Sequence, residues 1–129
     1  MKPLMQTRFG EEGNCFAACV ASILEVSIDE VPWLEDPENW QDYSTRLNNY
    51  LKERHDLKLF AFGFESITSH FPDALTDGYY IVSGKIHGGL EHSVVYKNGE
   101  LVHDSNPKKN KIIELECIYL FIKIFKLKT

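Results

Sequence analysis

The chain has 129 residues, 43% of them hydrophobic and 26% charged, with 19 acidic against 14 basic side chains and a net charge of -5. That length buries about two-thirds of the unfolded surface in one core, 1–129 as a single domain, and the composition excludes global disorder. The acidic balance argues against a nucleic-acid partner, no run of 18 apolar residues argues against a membrane span, and the absence of a signal-like start makes the cytoplasm the expected location.

The first readable element follows Gly13. Asn14 to Glu25, NCFAACVASILE, is rich in helix formers and apolar at nearly every position, the pattern of a buried helix capped by Gly13 or Asn14. Ser27 and Glu30 have the spacing of a capping box, so SIDEV opens a short second helix that ends at Pro32. Asp36-Pro37-Glu38 is another start signal. The helix behind it is expected to run to about Glu53 with Trp40, Tyr43, Leu47, Tyr50 and Leu51 as its apolar stripe.

From Leu57 the pattern turns to strands. Leu57 to Phe64 is one, and Glu65 to Thr76 reads as a loop or short helix. Asp77-Gly78 marks a turn before YYIVS. IHGGL is a glycine loop, and HSVVY, KNG and ELVHD form a hairpin. Ile112 to Leu127 supplies one or two last strands, either central or at an edge that pairs across a dimer. Helices first and strands afterwards give an α+β fold, with N-terminal helices packed on a mostly antiparallel sheet. Ser105 to Thr129 holds six lysines and two glutamates. Those lysines read as edge-strand protection and solvated loop.

Three cysteines, Cys15, Cys19 and Cys117, do not make a disulfide framework, and C-x3-C is not a redox motif. Cys15 falls on the first turn of the buried helix, where unpaired N–H groups and the helix dipole favour a thiolate. Cys19 lies one turn further in and is expected to be a small buried hydrophobe, as is Cys117. His92 and Asp104 sit on the two arms of the hairpin. A two-residue Asn98-Gly99 turn pairs Lys97 with Glu100 and sends His92 and Asp104 to opposite faces. A three-residue turn with a bulge at Gly99 pairs Tyr96 with Glu100 and puts His92 opposite Asp104. The residues alone leave both open; the second is preferred because it gives the imidazole a carboxylate. Cys15 as nucleophile, His92 as base and Asp104 as orienting group then form a constellation for acyl chemistry. The Cys15 N–H and the Gln6 side chain are its oxyanion donors, with Asn14 as a weaker alternative or a plain cap. Gly88-Gly89 either opens the cleft edge to an extended backbone or is a mobile turn. Trp33 and Trp40, which bracket LEDPEN, either line a pocket or pack the core.

QTRFGEEGNCFAACVASILE, GGLEHSVVYKNGELVHDSNP and the order Cys, His, Asp resemble the papain-like cysteine peptidase fold. Within it they are similar to small bacterial and phage-type proteins akin to the C39-like, bacteriocin-processing peptidases. The likeness covers about Pro3 to Pro107 and departs at Asn14-Cys15-Phe16, where the group usually has Asp-Cys-Gly. It implies Cys15, His92 and Asp104 as catalytic residues and Gln6 at the oxyanion. The expected activity is a cysteine hydrolase or acyl transferase, acting on a peptide or amide-containing substrate without a cofactor. Two other readings stand beside it: an inactive papain-like binding or regulatory domain, and a metal site drawn from His87, His92, His103, Asp104 and Cys15. In the preferred register His92 and His103 face opposite ways, which argues against a shared metal.

Overall fold

The computed structural model describes residues 1–10, 13–66, 78–108 and 110–124. Helix α1 spans Cys15–Leu24 and α2 spans Trp40–His55. The strands are β1 (Leu57–Gly63), β2 (Tyr79–Ile86), β3 (Glu91–Lys97), β4 (Glu100–His103) and β5 (Ile112–Lys123). They form an open antiparallel sheet in the order β1-β5-β2-β3-β4. The fold is mixed α+β with its helices at the N-terminal end. No described helix is long and apolar enough to cross a membrane.

The first helix is buried for the reason its composition suggests: Ala17, Ala18, Cys19, Val20 and Ala21 are 2% exposed or less. Small side chains let α1 lie close to the sheet. The helix behind Asp36 begins as one tight turn, Pro37–Asn39, capped by Asp36 Oδ1 on the Glu38 N–H at 3.0 Å. It becomes α2 at Trp40, and its stripe is as expected: Tyr43, Leu47 and Leu51 are fully buried, Trp40 and Tyr50 partly. The expected helix at SIDEV is only the three-residue turn Ile28–Glu30. Ser27 caps it at Asp29, but the Glu30 carboxylate, free of any capping box, accepts from Tyr50 Oη at 2.7 Å. Both long helices end on a left-handed residue without glycine, Glu25 (φ 59°) and Asp56 (φ 54°).

The sheet separates two apolar clusters. Ile81 and Val95 pack with α1, α2 and Leu59, joined by Tyr119 and Phe121. Tyr80, Val82, Val94 and Ile118 form the other cluster with Phe64 and Tyr96. That is the period-2 alternation of a sheet with both faces in use.

Two sequence expectations change here. The lysine-bearing last strand is not an edge: β5 pairs with β1 on one side and β2 on the other, so edge protection does not account for Lys123. The hairpin takes the register that was not preferred. Lys97 pairs with Glu100 around Asn98 (φ 52°) and Gly99 (φ 78°), a two-residue turn whose residues are both left-handed. A bulge then shifts the ladder, so Tyr96 faces Leu101 but Val95 faces His103. The expected loop or short helix at 65–76 lies outside the described residues beyond 66, as do Asp77 and the stretch 125–127.

β5 presses on β2 hardest at Gly84, beside a second bulge between Ser83 and Gly84. A side chain there would collide with the Glu114 carbonyl and with Ile112 Cγ2. Gly84→Ala is therefore expected to destabilise the fold by about 2–3 kcal/mol, the range for overpacking a closed contact. Urea denaturation at unchanged slope would show it as a lower midpoint; a wild-type midpoint would mean the two strands separate freely.

Candidate functional site

Cys15 is half-buried at the first turn of α1, and the neighbouring Asn14 does not cap that turn. The Asn14 side chain is turned backwards instead. Its Oδ1 accepts from the N–H groups of Thr7 (3.0 Å) and Arg8 (2.9 Å), and its Nδ2 donates to Thr7 Oγ1 at 2.8 Å. The extended N-terminal segment is thereby pinned beside the helix start. Trp33 Nε1 donates to the Gly13 carbonyl at 3.3 Å and closes the other side.

Gln6, 7% exposed, is the second clamp. Its backbone N–H donates to the Ser105 carbonyl (3.0 Å), its Oε1 accepts from Ser105 Oγ (3.0 Å), and its Nε2 donates to the Arg8 carbonyl (2.9 Å). His103 adds a third: its Nε2 donates to the Leu4 carbonyl at 2.7 Å, which fixes the proton on that nitrogen. Three polar residues that looked chemical in the sequence thus hold the N-terminal segment, Asn14 to the start of α1 and Gln6 and His103 to the end of β4.

His92 is the second residue of β3 and is 4% exposed. Its Nε2 meets Asp104 Oδ1 at 2.7 Å, and the same oxygen accepts the Asn106 N–H at 2.9 Å. The pairing expected of these two residues is made, by a different device from the expected turn. In the two-residue register Asp104 falls on the wrong side of the ladder, and the extra residue of the β4 bulge brings it back. Burial by itself lowers the His92 pKa, but the adjacent Cys15 and the Asp104 carboxylate favour the charged ring and leave it raised above 6.5.

The expected enzyme is corrected at this point. A relay needs a hydrogen bond from nucleophile to base as well as one from base to orienting group. Among the described residues the hydrogen bond that holds the His92 ring goes to Asp104, and Cys15 lies beside that pair. No three described His, Cys, Asp or Glu side chains are placed to hold a metal ion. The cysteine hydrolase or transferase, with its protease and triad descriptions, is not supported, and the metal-site alternative falls with it.

What the residues do enclose is a cleft with two basins. The first, about 450 Å³, is lined by Gln6, Cys15, Leu90, His92, Asn106 and Lys108 among others. The second, about 290 Å³, is walled by Phe16, Trp33, Leu34, Trp40 and Tyr119, with Ser83 and Ser93 also lining it. Gly10, Gly13, Cys15 and Glu91 belong to both and mark the junction. Gly88 (φ 97°) and Gly89 (φ 87°) turn the chain from β2 into β3 just before Leu90. Their left-handed backbone requires glycine. Sequence reasoning passed over Glu91, Ser105 and Asn106. The run Asp104-Ser105-Asn106-Pro107 is an Asx-turn signal that could have found the last of these.

Glu91 carries a large electrostatic perturbation at the junction of the two basins. Burial, then the hydrogen bond and charge of Glu116 from β5, push its pKa up to about 7, with Glu114 adding to the effect and Lys85 opposing it. Lys85 Nζ lies 4.0 Å from Glu116 Oε2, while Glu116 Oε1 is buried without another donor. A proton retained on Glu91 supplies one.

Comparison of the chain with protein-family models, with curated proteins and with solved structures finds no match.

Two outcomes follow. Asp104→Ala strands the buried imidazole and is expected to remove about 3 kcal/mol of stability. It should also lower the His92 pKa, read from the histidine ring signals in an NMR titration; an unmoved pKa would mean that the pair is not electrostatically coupled. Both perturbed groups hold protons more tightly when folded. The Glu91 contribution is complete below about 4.5 and fades as the pH rises to about 7; the His92 contribution is complete below 6.5 and fades as the pH passes its raised value. Melting temperatures should therefore fall between pH 5 and 8, and Glu91→Gln should flatten the part of the slope below 7.

Proposed function

We propose that the chain is a papain-like domain used for recognition, with its cleft holding an extended, amide-bearing ligand of the peptide type. The observation that carries this reading is the junction itself. Gln6, Cys15 and His92 come from three separated segments and meet at one cavity that runs into an apolar basin. A peptide offers what such a cleft takes, a backbone with donors and acceptors flanked by side chains of differing polarity. The first turn of α1 presents N–H groups, Asn106 lines the first basin, and the Gly88-Gly89 turn leads into Leu90 on its wall. The papain-like part of the reading rests on Cys15 at a helix start beside His92 near the start of a strand, with Asp104 behind it.

The test is a titration of the ¹⁵N-labelled protein with a defined pool of capped tripeptides of varied side chains, followed through backbone amide signals. The expected result is saturable shifts confined to residues 13–16, 88–92 and 104–106. Shifts scattered over the surface, or none at millimolar peptide, would overturn the reading. Ala substitution at Leu90 is expected to weaken binding about five- to tenfold, as loss of one buried apolar contact would.

A further inference from the structure

The second basin is built from aromatic rings. Phe16 stands edge-on to Trp40 (centroids 5.5 Å) and to Tyr119 (4.8 Å), and Trp40 lies 5.7 Å from Tyr119. Trp33 and Leu34 complete the wall, and Glu91 stands at the mouth. Aromatic faces are negative at their centres and attract cations, most strongly where water is excluded. The chain already uses this in the same corner: the Arg8 guanidinium lies 4.1 Å from the centre of the Trp33 ring.

Charge around the basin points the same way. The stretch Val26 to Thr45, which carries Trp33 and Trp40, holds six carboxylates and no lysine or arginine; of these Asp42 pairs with Arg46, Glu30 accepts from Tyr50 and Asp36 caps the turn before α2, while Glu91 alone lines the basin itself. Glu35 and Asp36 directly follow the Trp33-Leu34 wall and are exposed. From the sheet side Glu114 and Glu116 on β5 neighbour Glu91, countered by Lys85 on β2. A plain apolar pocket for a leucine or phenylalanine side chain needs none of these carboxylates.

From this arrangement we infer that the aromatic basin is the specificity pocket of the cleft and takes the basic side chain, lysine or arginine, of a bound peptide. The inference rests on the recognition reading above and names its ligand. The aliphatic stem of such a side chain packs on Phe16, Leu34 and Trp40, and its charged head is left near Glu91 and the exposed carboxylates of the rim. Peptide polarity and length are set by the first basin, and residue identity by the second.

The probes are capped single residues: Nα-acetyl-lysine methylamide, its arginine counterpart, and the neutral Nα-acetyl-norleucine methylamide. The readout is the indole N–H signals of the chain's two tryptophans, Trp33 and Trp40. At pH 8 and low salt the basic probes are expected to bind about tenfold more tightly than norleucine, the increment of a partly desolvated cation on aromatic faces. Raising the salt should weaken the basic probes and leave norleucine unchanged. Glu91→Gln, close in shape to the native residue, should reduce the preference severalfold, and Trp33→Leu should do the same if it folds. Equal or tighter binding of norleucine would overturn the inference in favour of an apolar pocket. Silent indole signals, with the tripeptides still shifting residues 88–92, would overturn it and leave the recognition reading standing. Cationic probes that move the indoles while no tripeptide moves residues 88–92 would retain the pocket and defeat the extended-peptide reading.

Discussion

The last strand of the chain lies in the middle of the sheet, and both halves of the structure depend on that pairing. β5 joins β1, which follows α2, to β2, which opens the second half of the molecule. Seven pairs tie it to β1 and six to β2, across long stretches of sequence. Long-range contacts of this kind carry a large loop-closure entropy before they return any stability. The same strand delivers Tyr119 to the wall of the cleft and Glu116 to the side of Glu91, so the sheet and the cleft share one strand. Gly84 is the point at which the chain accepts that closeness, since any side chain there would occupy the space of the β5 backbone.

Around that sheet the N-terminal segment is held by polar side chains rather than by a strand. Asn14, Gln6 and His103 each make bonds that a surface residue would leave to water, and Asn14 and Gln6 are among the most buried polar residues of the chain. Buried donors and acceptors are expensive to leave unmatched, and once matched they specify one arrangement. This accounts for residues that resemble reacting groups in the sequence and act as clamps in the fold. An amide side chain nine residues ahead of a cysteine suits an oxyanion hole. Here one of its N–H groups is committed to the Arg8 carbonyl and its oxygen to Ser105.

Local chemistry made much of the fold legible beforehand. The apolar run after Gly13 could only be a buried helix, and the stripe Tyr43, Leu47, Leu51 had one face to bury. The hairpin shows where that legibility ends. Its turn residues Asn98 and Gly99 do adopt the paired left-handed conformation their types favour, which argues for the two-residue register. The preference for the other register came from requiring His92 and Asp104 to meet. A bulge one step further along satisfies both demands, and a bulge has no sequence signature of its own. The position of β5 was hidden for a related reason: apolar composition marks a strand as buried without saying which neighbours it takes. At the site the sequence brought Gln6, Cys15, His92 and Asp104 to one place, and the structure puts three of them at one cavity with the fourth behind His92.

The division of the cleft has its own physical logic. The first basin is bounded by the ends of regular elements, the start of α1, the start of β3 and the turn after β4, all anchored by buried hydrogen bonds. The aromatic wall of the second comes partly from the irregular stretch between the two helices, which is held by Val31 in the core and by a few hydrogen bonds. Glu30 holds Tyr50, Trp33 holds the Gly13 carbonyl, and Asp36 caps the turn before α2. A rigid sheet can fix the path of a ligand backbone, while a lightly anchored segment can change its side chains without disturbing the core. Glu91 stands between the two on β3, with a proton affinity set by burial and by Glu116. A positive charge arriving in the second basin would favour the ionised form of Glu91, and the released proton would leave a carboxylate beside the first basin. A basic side chain held in the second basin would therefore act on both basins through this one carboxylate, which lines each of them.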